Sequence, residues 1–375
     1  MNRRMFNAAL LGLAAMGAQG AGARAAAQDA PAGAAHPLAA AWALWKTAFL
    51  APDGRVIDRT QQGASHSESQ GYGMTLALAL GDADAFARID AWTEANLALR
   101  DDSLLAWRWL PEAAIRVPDR NNASDGDLFR AWALAGAGVR FSNDAYTRRA
   151  TAIAADLARL CVVPWPDGSG RPVLLPAALG FTRDDGVIVN PSYCMPRALR
   201  ELAAATGQQD LALCADSGEA LAADLAATGL MPDWIALTPG GPQPATGMSD
   251  RSGYEAMRVP LFLLWSGAPG HPALARHAAA LRSARSAEPG ARSTPTVLDR
   301  LTGAVIERSP DAGYGAVEAL LLCVDAASAA SGAGGVTLPG SALPPFTTDQ
   351  PYYPATLHLM ALLAQIEGYP TCVPL

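Results

Sequence analysis

The sequence of 375 residues has little positive charge, and this shortage excludes several classes of partner. Its 28 Lys and Arg residues are outnumbered by 35 Asp and Glu residues, which gives a formal net charge of -7 at pH 7. Nucleic acids and anionic lipid surfaces are bound through clustered positive charge. We therefore expect no nucleic-acid partner and no anionic membrane surface, whereas an uncharged ligand is compatible with this composition.

The sequence also lacks a hydrophobic run long enough to span a bilayer. Its N-terminal apolar segment is short, follows Arg3 and Arg4, and ends in small residues, as in an export signal. We expect a cleaved signal peptide over residues 1–27, a flexible tether over 28–37, and a periplasmic or secreted protein without membrane insertion. The paired arginines also resemble a twin-arginine signal. An amphipathic first helix of the mature fold is the alternative interpretation.

Motifs for metal, redox or phosphate chemistry are missing as well. The five cysteines show no C-x-x-C pattern and no histidine at ligand spacing, and there is no G-x-S-x-G elbow or phosphate-binding loop. We therefore expect no metal and no cofactor. The cysteines are interpreted as buried small residues. An oxidising compartment would permit one or two disulfides and leave at least one free thiol, and the sequence does not define the pairing.

What the sequence does contain is a long succession of helical patterns. Half of the residues are hydrophobic and 17% are charged, and apolar side chains recur at helical spacing without a composition break that would mark a domain boundary. Short β-rich stretches interrupt this pattern at 164–189 and 294–306. We expect a single all-α domain over 38–375, an (α/α)6 barrel with minor β excursions. A solenoid of helical pairs is the alternative, although no repeat is visible. The predicted helical segments are 36–50, 65–80, 82–99, 124–141, 143–162, 191–206, 210–228, 253–265, 272–287, 313–330 and 352–366.

The most unusual segment is the polar start of an otherwise apolar helix. Residues 65–74 read S-H-S-E-S-Q-G-Y-G-M and lead into an alternation of leucine and alanine. One interpretation is a capping box in which Ser65 or Ser67 accepts backbone N–H bonds while Glu68 or Gln70 reaches back. The other is a cleft in which Glu68 is desolvated enough to remain protonated and act as a general acid.

Two further helices begin with carboxylates. The motif N-N-A-S-D-G-D places Asp125 and Asp127 in a first turn, where the helix dipole favours acidic residues whatever their function. The motif S-G-Y-E-A-M-R-V-P places Glu255 three residues before Arg258, which is the spacing of a helical ion pair. Three such helix starts, with aromatic residues in nearby loops, together favour a cleft that binds sugar faces and hydrolyses a glycosidic bond between two acids.

These motifs resemble those of glycoside hydrolase family 8. S-H-S-E-S-Q-G-Y-G-M is similar to the family's E-G-Q-x-Y-G-M, N-N-A-S-D-G-D to A-[ST]-D-G-D, and G-Y-E-A-M-R-V-P to S-Y-D-A-x-R-V-P. Further similarity at W-R-W-L, L-P-A-A-L-G-F, P-D-W and Y-Y extends the match, in order, across nearly the whole mature chain. The resemblance is closest to endoglucanases encoded beside bacterial cellulose synthase. It implies an (α/α)6 barrel, inversion at the anomeric carbon and hydrolysis of internal β-1,4 linkages in cellulose-like glucans.

The resemblance also implies a role for each carboxylate. Glu68 falls at the position of the general acid, Asp125 at that of the acid that holds the sugar, and Glu255 at that of the general base. The family usually has Asp at the last position, and the extra methylene of Glu extends its reach by roughly 1.5 Å. Ser69 replaces a family glycine beside the acid. We expect the two catalytic carboxyl groups to stand about 6.5 to 9.5 Å apart. The other residues expected to bind substrate are Tyr72, Trp107, Trp109, Asp127, Tyr193, Trp234, Tyr254, Arg258 and Tyr352.

The sequence thus predicts an inverting endo-1,4-β-glucanase that acts on cellulose or cello-oligosaccharides and associates functionally with cellulose synthase. For the stacking aromatic residues, burial in the helical core is the alternative. Two alternative functions also stay open. One is a catalytically weakened glucan-binding protein of cellulose assembly, motivated by Glu255 and Ser69. The other is the same hydrolysis on xylan, chitosan or mixed-linkage glucan.

Overall fold

A computed structural model describes residues 36–331 and 343–372, and helices account for most of this part of the chain. These ranges contain eleven α-helices and ten short β-strands. The helices are α1 (Ala39–Phe49), α2 (Ser67–Ala79), α3 (Ala83–Leu97), α4 (Ser124–Arg140), α5 (Asp144–Cys161), α6 (Pro196–Thr206), α7 (Gln209–Thr228), α8 (Arg258–Trp265), α9 (Pro272–Ala287), α10 (Ala312–Ser331) and α11 (Tyr352–Gly368). The strands are β1 (Ser65–His66), β2 (Arg108–Trp109), β3 (Val162–Pro164), β4 (Pro172–Leu174), β5 (Thr182–Arg183), β6 (Gly186–Val189), β7 (Ile235–Thr238), β8 (Gly241–Pro244), β9 (Thr294–Leu298) and β10 (Val305–Ser309).

Five of the helices close a ring. α2, α4, α6 and α8 contact one another in that order, and α11 contacts both α8 and α2. α3, α5, α7, α9 and α10 each pack against at least one helix of the ring. α8 is buried along its whole length, as its almost entirely apolar sequence requires. The closed, two-layered arrangement confirms the expected all-α barrel architecture and rules out the solenoid, in which each unit contacts only its neighbours along the chain.

All eleven predicted helical segments contain a helix, and the boundaries differ most at two helix starts. The helix expected from residue 191 begins at Pro196, because proline is favoured in a first turn, and Pro191–Tyr193 forms a 3-10 turn instead. The helix expected from residue 253 begins at Arg258. Before it lies a turn closed by the Met257 N–H, which donates to the Gly253 carbonyl (3.0 Å). Non-helical backbone therefore precedes both α6 and α8.

The strands form small antiparallel sheets beside the helices. β5, β6, β7 and β8 make a four-stranded sheet in that order, and β1–β2, β3–β4 and β9–β10 are pairs. The β excursions expected within 164–189 and 294–306 are confirmed by β4, β5, β6, β9 and the start of β10. β7 and β8 are not predicted from the sequence, because each has only four residues and β8 contains two prolines. β8 lies at the sheet edge, where proline is tolerated.

One pair of cysteines is joined. Cys323 of α10 forms a disulfide with Cys372, which follows α11. Cys161 and Cys214 are buried free thiols, as expected for small core residues, and Cys194 is a partly buried free thiol. The bridge thus ties the C-terminal end of the described chain to the helix that precedes α11.

The described residues from Pro37 onward form one compact unit. The predicted signal peptide, its arginine pair and nearly all of the predicted tether lie outside the described residues. Within the ranges that the structure describes, no helix is both long enough and apolar enough to cross a membrane.

Candidate active site

Three helix starts converge on one arginine at one end of the ring. Glu68 lies in the first turn of α2, Asp125 in the first turn of α4, and Glu255 in the turn that leads into α8. Arg258, the first residue of α8, contacts all three carboxylates. Helix N-termini carry partial positive charge, so the backbone and the arginine both favour acidic side chains here.

The two terminal nitrogens of Arg258 contact different carboxylates. The arginine side chain is 1% exposed. Its Nη1 pairs with Glu68 and lies 3.5 Å from Oδ2 of Asp125, whereas Nη2 pairs with Glu255. Nη1 also donates to the hydroxyl of Tyr72 (3.0 Å). A buried guanidinium with this many partners has a fixed orientation, and it therefore sets the spacing of the acids.

Glu68 is free to reach Arg258 because other groups cap α2. The backbone N–H of His66 donates to Oγ of Ser69 (2.9 Å), and the Ser69 hydroxyl donates to the His66 carbonyl (2.9 Å). Ser65 donates to the carbonyl of Val56 (2.5 Å). The expected capping box of Ser65 or Ser67 with Glu68 or Gln70 is therefore wrong, and His66 and Ser69 form the box instead. Ser69, which departs from the family pattern, is accommodated as the capping residue.

Glu68 and Asp125 lie where a proton is favoured. Burial raises the pKa of Glu68; the charge of Arg258 opposes this shift and that of Glu255 adds to it. Burial also raises the pKa of Asp125 well above its usual range, and the charge of Glu68 adds to that shift. Three carboxylates share one cation, so full ionisation would leave uncompensated negative charge in a buried site. The arrangement favours one retained proton between Glu68 and Asp125.

Glu255 has a wetter environment than Glu68. Its side chain is 35% exposed, against 22% for Glu68. Its Oε2 accepts a hydrogen bond from Nδ2 of Asn190 (3.0 Å), and the hydroxyl of Ser192 lies 3.4 Å from the same oxygen. Arg258 is its ion-pair partner. A more exposed, ion-paired acid beside a more deeply buried one is the kind of contrast that separates a general base from a general acid.

A cavity of about 370 Å³ opens beside Glu68 and Glu255. Tyr254 and Tyr353 line it, and the Tyr353 hydroxyl donates to the Tyr254 carbonyl (2.5 Å). The hydroxyl of Tyr254 donates to Oε2 of Glu307 (3.2 Å) on β10. The volume is in the range of small-ligand pockets, and the polar wall suits a hydroxylated ligand.

Three aromatic residues expected to bind sugars keep part of their surface open. Trp234 stacks on Phe181, with ring centroids 5.8 Å apart and planes 9° from parallel. Tyr193 lies beside Trp234, and the Arg258 guanidinium is 5.6 Å from its ring centroid. Trp107 precedes β2, and its carbonyl accepts the N–H of Ser67 (2.9 Å). Half-buried rings of this kind are able to offer a face to a sugar.

Two expected stacking residues lie in the core instead. Trp109 is buried edge-on against Trp92, with ring centroids 5.5 Å apart. Tyr352 is 2% exposed and packs against Trp45 and Phe49. The guanidinium groups of Arg55 and Arg116 lie 4.9 and 5.0 Å from the centroid of the Trp109 ring, and Tyr352 packs among aromatic rings. Neither residue lines the cavity. For these two residues, core packing describes the observed position.

Asp127 is also placed away from the cavity, although it was expected to bind substrate. Its carboxylate is fully buried and accepts the N–H of Leu105 (2.8 Å) and Nδ2 of Asn122 (3.0 Å). Burial raises the pKa of Asp127 to about 7, against the effect of these hydrogen bonds. Asp127 thus joins the start of α4 to the segment that precedes β2.

Asn190, Ser192 and Tyr353 belong to the site but were not selected from the sequence. Asn190 and Ser192 lie three residues and one residue before Tyr193, and the side chain of Asn190 caps the 3-10 turn by accepting the Ser192 N–H (3.0 Å). Tyr353 stands next to Tyr352 in the Y-Y motif. Successive residues of a helix point in directions about 100° apart, so only one of the two rings is able to face the cavity. The N-P-S-Y and Y-Y motifs are the sequence features from which these three residues could have been predicted.

Comparison with known proteins identifies the family of this chain. The sequence profile described as "Glycosyl hydrolases family 8" matches residues 13–367. The chain belongs to this family. Its resemblance in sequence motifs is thereby confirmed, and the chain is a glycoside hydrolase.

Named relatives of this family 8 hydrolase are endoglucanases. A "Probable endoglucanase" of Novacetimonas hansenii is 34% identical over 334 residues, which cover 88% of this chain and 91% of that protein. An "Endoglucanase" of Cellulomonas uda is 36% identical over 228 residues, and the match spans 60% of this chain and 63% of that protein. The solved structure of endo-beta-1,4-glucanase CMCax from Acetobacter xylinum is similar with 33% identity and a TM-score of 0.74, over 89% of this chain and 99% of that one.

In the part of this family 8 hydrolase that the structure describes, no group of three or more His, Cys, Asp or Glu side chains is arranged to hold a metal ion. The described site offers three carboxyl groups that can exchange protons with a bound ligand.

Proposed function

We propose that this family 8 hydrolase is an inverting endo-1,4-β-glucanase that cleaves cellulose or cello-oligosaccharides. The observation that carries the proposal is that Arg258 holds Glu68, Asp125 and Glu255 together beside an open cavity. An inverting glycosidase requires a protonated carboxylic acid and a carboxylate on opposite faces of one sugar. The relatives named as endoglucanases support the glucan as substrate.

In the proposed reaction, Glu68 is the general acid and Glu255 is the general base. Glu68 gives its proton to the glycosidic oxygen as the bond from that oxygen to the anomeric carbon breaks. A water molecule on the opposite face forms the new bond to the same carbon and gives its proton to Glu255. The product therefore carries the α configuration. The raised pKa of Glu68 supports its role, because the acid must hold a proton near neutral pH.

Asp125 and Arg258 prepare the site in this proposal. Asp125 would accept a hydroxyl hydrogen bond from the sugar at the point of cleavage, since its Oδ2 lies beside both Glu68 and Arg258. Arg258 keeps the proposed acid and base on one rigid support. The separation of about 6.5 to 9.5 Å between their carboxyl groups stays a prediction.

We also propose export to the periplasm or medium and a role in cellulose synthesis in association with cellulose synthase. The N-terminal export pattern supports the location. The bridge between Cys323 and Cys372 suits an oxidising compartment. The similarity to endoglucanases encoded beside cellulose synthase motivates the role.

The first experiment compares the mature protein with Glu68→Gln on carboxymethylcellulose and cellohexaose, following reducing ends and the anomers of fresh products by NMR. Glu112→Gln, an exposed change of the same kind, is the matched control. We expect α-anomers from the wild type and the control and at least a hundredfold lower rate from Glu68→Gln. Initial β-anomers would contradict inversion.

The same assay separates the alternative functions. Cellohexaose binding without any sugar release would favour a glucan-binding protein, an alternative motivated by the longer side chain of Glu255. Faster release from xylan, chitosan or mixed-linkage glucan than from cello-oligosaccharides would keep the reaction and change the substrate.

A further inference from the structure

Asp233, in the P-D-W motif, binds the backbone on which Glu255 is carried. Its Oδ1 accepts the N–H groups of Gly253 (3.0 Å), Glu255 (3.2 Å) and Ala256 (3.0 Å). Its Oδ2 accepts the hydroxyl of Ser249 (2.9 Å). Asp233 itself is buried. One carboxylate therefore receives four hydrogen bonds, three of them from the turn that contains Glu255.

These three N–H groups belong to the turn that leads into α8. The first N–H groups at a helix start have no acceptor within the helix and need one from elsewhere. A capping side chain usually comes from the residue just before the helix. Here it comes from Asp233, which lies 20 residues before Gly253 in the chain. Asp233 is thus a cap supplied by a different segment.

Asp233 is itself held firmly in place. Its backbone N–H donates to the Arg251 carbonyl (2.7 Å), and the next residue, Trp234, donates to the Ser249 carbonyl (3.1 Å). β7 begins immediately afterwards at Ile235. The acceptor that fixes the turn is therefore anchored to the four-stranded sheet.

Gly253 permits this close approach. A Cβ atom at residue 253 would lie 2.6 Å from Oδ2 of Asp233, which is closer than real Cβ atoms approach other atoms. Any larger residue would push the carboxylate and the turn apart. The close contact between the turn and Asp233 therefore requires glycine at position 253.

We infer that Asp233 is a positioning residue for the proposed reaction: by holding the backbone N–H groups of the 253–256 turn, it sets where the Glu255 carboxylate meets the attacking water. This inference rests on the proposed function. Glu255 has one more rotatable bond than the Asp usual in the family, so its carboxylate depends more on a fixed backbone. Because Asp233 contacts the turn and Ser249 but does not line the cavity, it acts through Glu255.

The test compares Asp233→Ala and Asp233→Asn with the wild type on cellohexaose. Asp299→Asn is the matched control, since Oδ1 of Asp299 also accepts two backbone N–H groups, of Leu301 (3.1 Å) and Thr302 (2.8 Å), in another turn. We expect kcat of Asp233→Ala to fall roughly a hundredfold with KM within about threefold. Asp233→Asn keeps an oxygen acceptor and should recover at least tenfold of this loss. The control should stay within about twofold of the wild type.

Azide distinguishes lost positioning from general damage to the fold. Azide attacks the anomeric carbon without a base: its nitrogen forms the new bond while Glu68 protonates the leaving oxygen. We expect azide to raise the rates of Asp233→Ala and Glu255→Ala and to yield a glycosyl azide, but not to raise that of Glu68→Gln. Thermal unfolding shows which variants fold, and if Asp233→Ala does not, the azide test is made on Asp233→Asn.

The outcomes separate this inference from the proposed function. A wild type that releases no sugar overturns both. An active wild type with folded Asp233 variants of unchanged kcat overturns the positioning role alone. A fall in kcat that azide does not reverse, or that is matched by Asp299→Asn, also overturns it, because damage elsewhere then explains the loss.

Discussion

Glu68 and Glu255 bind the same guanidinium through different nitrogen atoms of Arg258. The proposed acid and base are thereby connected through one buried side chain, although 190 residues separate Glu68 from Arg258 in the sequence. An inverting reaction needs its two carboxyl groups at a set distance across one sugar. A shared arginine maintains this distance more rigidly than two independent contacts would.

Arg258→Lys should abolish most of the activity and destabilise the fold. One ammonium group is unable to occupy the positions of both terminal nitrogens, so a buried carboxylate loses its partner. We expect kcat to fall at least a hundredfold and the free energy of unfolding to fall by about 3 kcal/mol. Arg159→Lys, in an exposed ion pair with Asp156 at the same spacing of three residues, is the control and should change little. Urea unfolding and cellohexaose kinetics measure both effects, and equal losses in the two variants would contradict the bridging role.

Glu255→Asp should lower activity in this chain, although Asp is usual in the family. The shorter side chain withdraws the carboxylate by roughly 1.5 Å from Asn190 and Arg258. With the turn held by Asp233, we expect kcat to fall about tenfold or more while KM changes little. A higher kcat in Glu255→Asp would indicate that Glu255 weakens catalysis, as the glucan-binding alternative requires.

Asp127→Asn should change the pH dependence of stability. The pKa of Asp127 is about 7 in the folded protein, above its ordinary value of 3.8. Between about pH 4 and 7 the unfolded chain ionises at Asp127 while the folded protein keeps the proton, so the free energy of unfolding falls as the pH rises. Below about pH 4 both states hold the proton and this loss is absent. Asparagine does not ionise, so the stability of the variant relative to the wild type should improve from pH 5 to pH 7, by at most about 1.4 kcal/mol per pH unit.

Unfolding measurements at a series of pH values test this. Asp144→Asn, an exposed acid in the first turn of α5, is the control and should show a constant difference from the wild type. A constant difference for Asp127→Asn as well would show that Asp127 titrates normally.

Trp234→Ala should weaken substrate binding, whereas Trp109→Ala should destabilise the fold. Trp234 is half-buried, so its loss should raise KM for cellohexaose by about tenfold and leave the fold largely intact. Trp109 is buried against Trp92, and its loss should cost about 3 to 5 kcal/mol of unfolding free energy. KM and the unfolding midpoint, measured on both variants, decide between binding and packing roles. The reverse pattern would exchange the two assignments.

Much of the fold follows from local pattern. Apolar spacing located every helix of the described chain, because a ring helix such as α11 needs apolar residues on nearly all faces. The same pattern does not show which way a single side chain points. Tyr352 was therefore predicted to bind substrate, although Tyr353 is the residue that lines the cavity. Motif similarity selected Glu68, Asp125, Glu255 and Arg258, which the structure brings together.

Contacts made at long range were not visible in the sequence. The bonds from Asp233 to the 253–256 turn join segments 20 to 23 residues apart, and no spacing rule links them. The α2 start was likewise ambiguous, since two serines and a histidine compete to cap it and only the folded backbone decides. Asp127 and Trp109 follow acidic and aromatic patterns that fit a cleft as well as a core.

The disulfide between Cys323 and Cys372 closes a covalent loop that includes α11 and its two tyrosines. A protease that cuts the chain once anywhere within this loop will leave both fragments attached. Such a nicked molecule will migrate as one band in a denaturing gel until a reductant separates it into two. The wall of the active site formed by α11 thus stays part of the same molecule after the main chain has been broken.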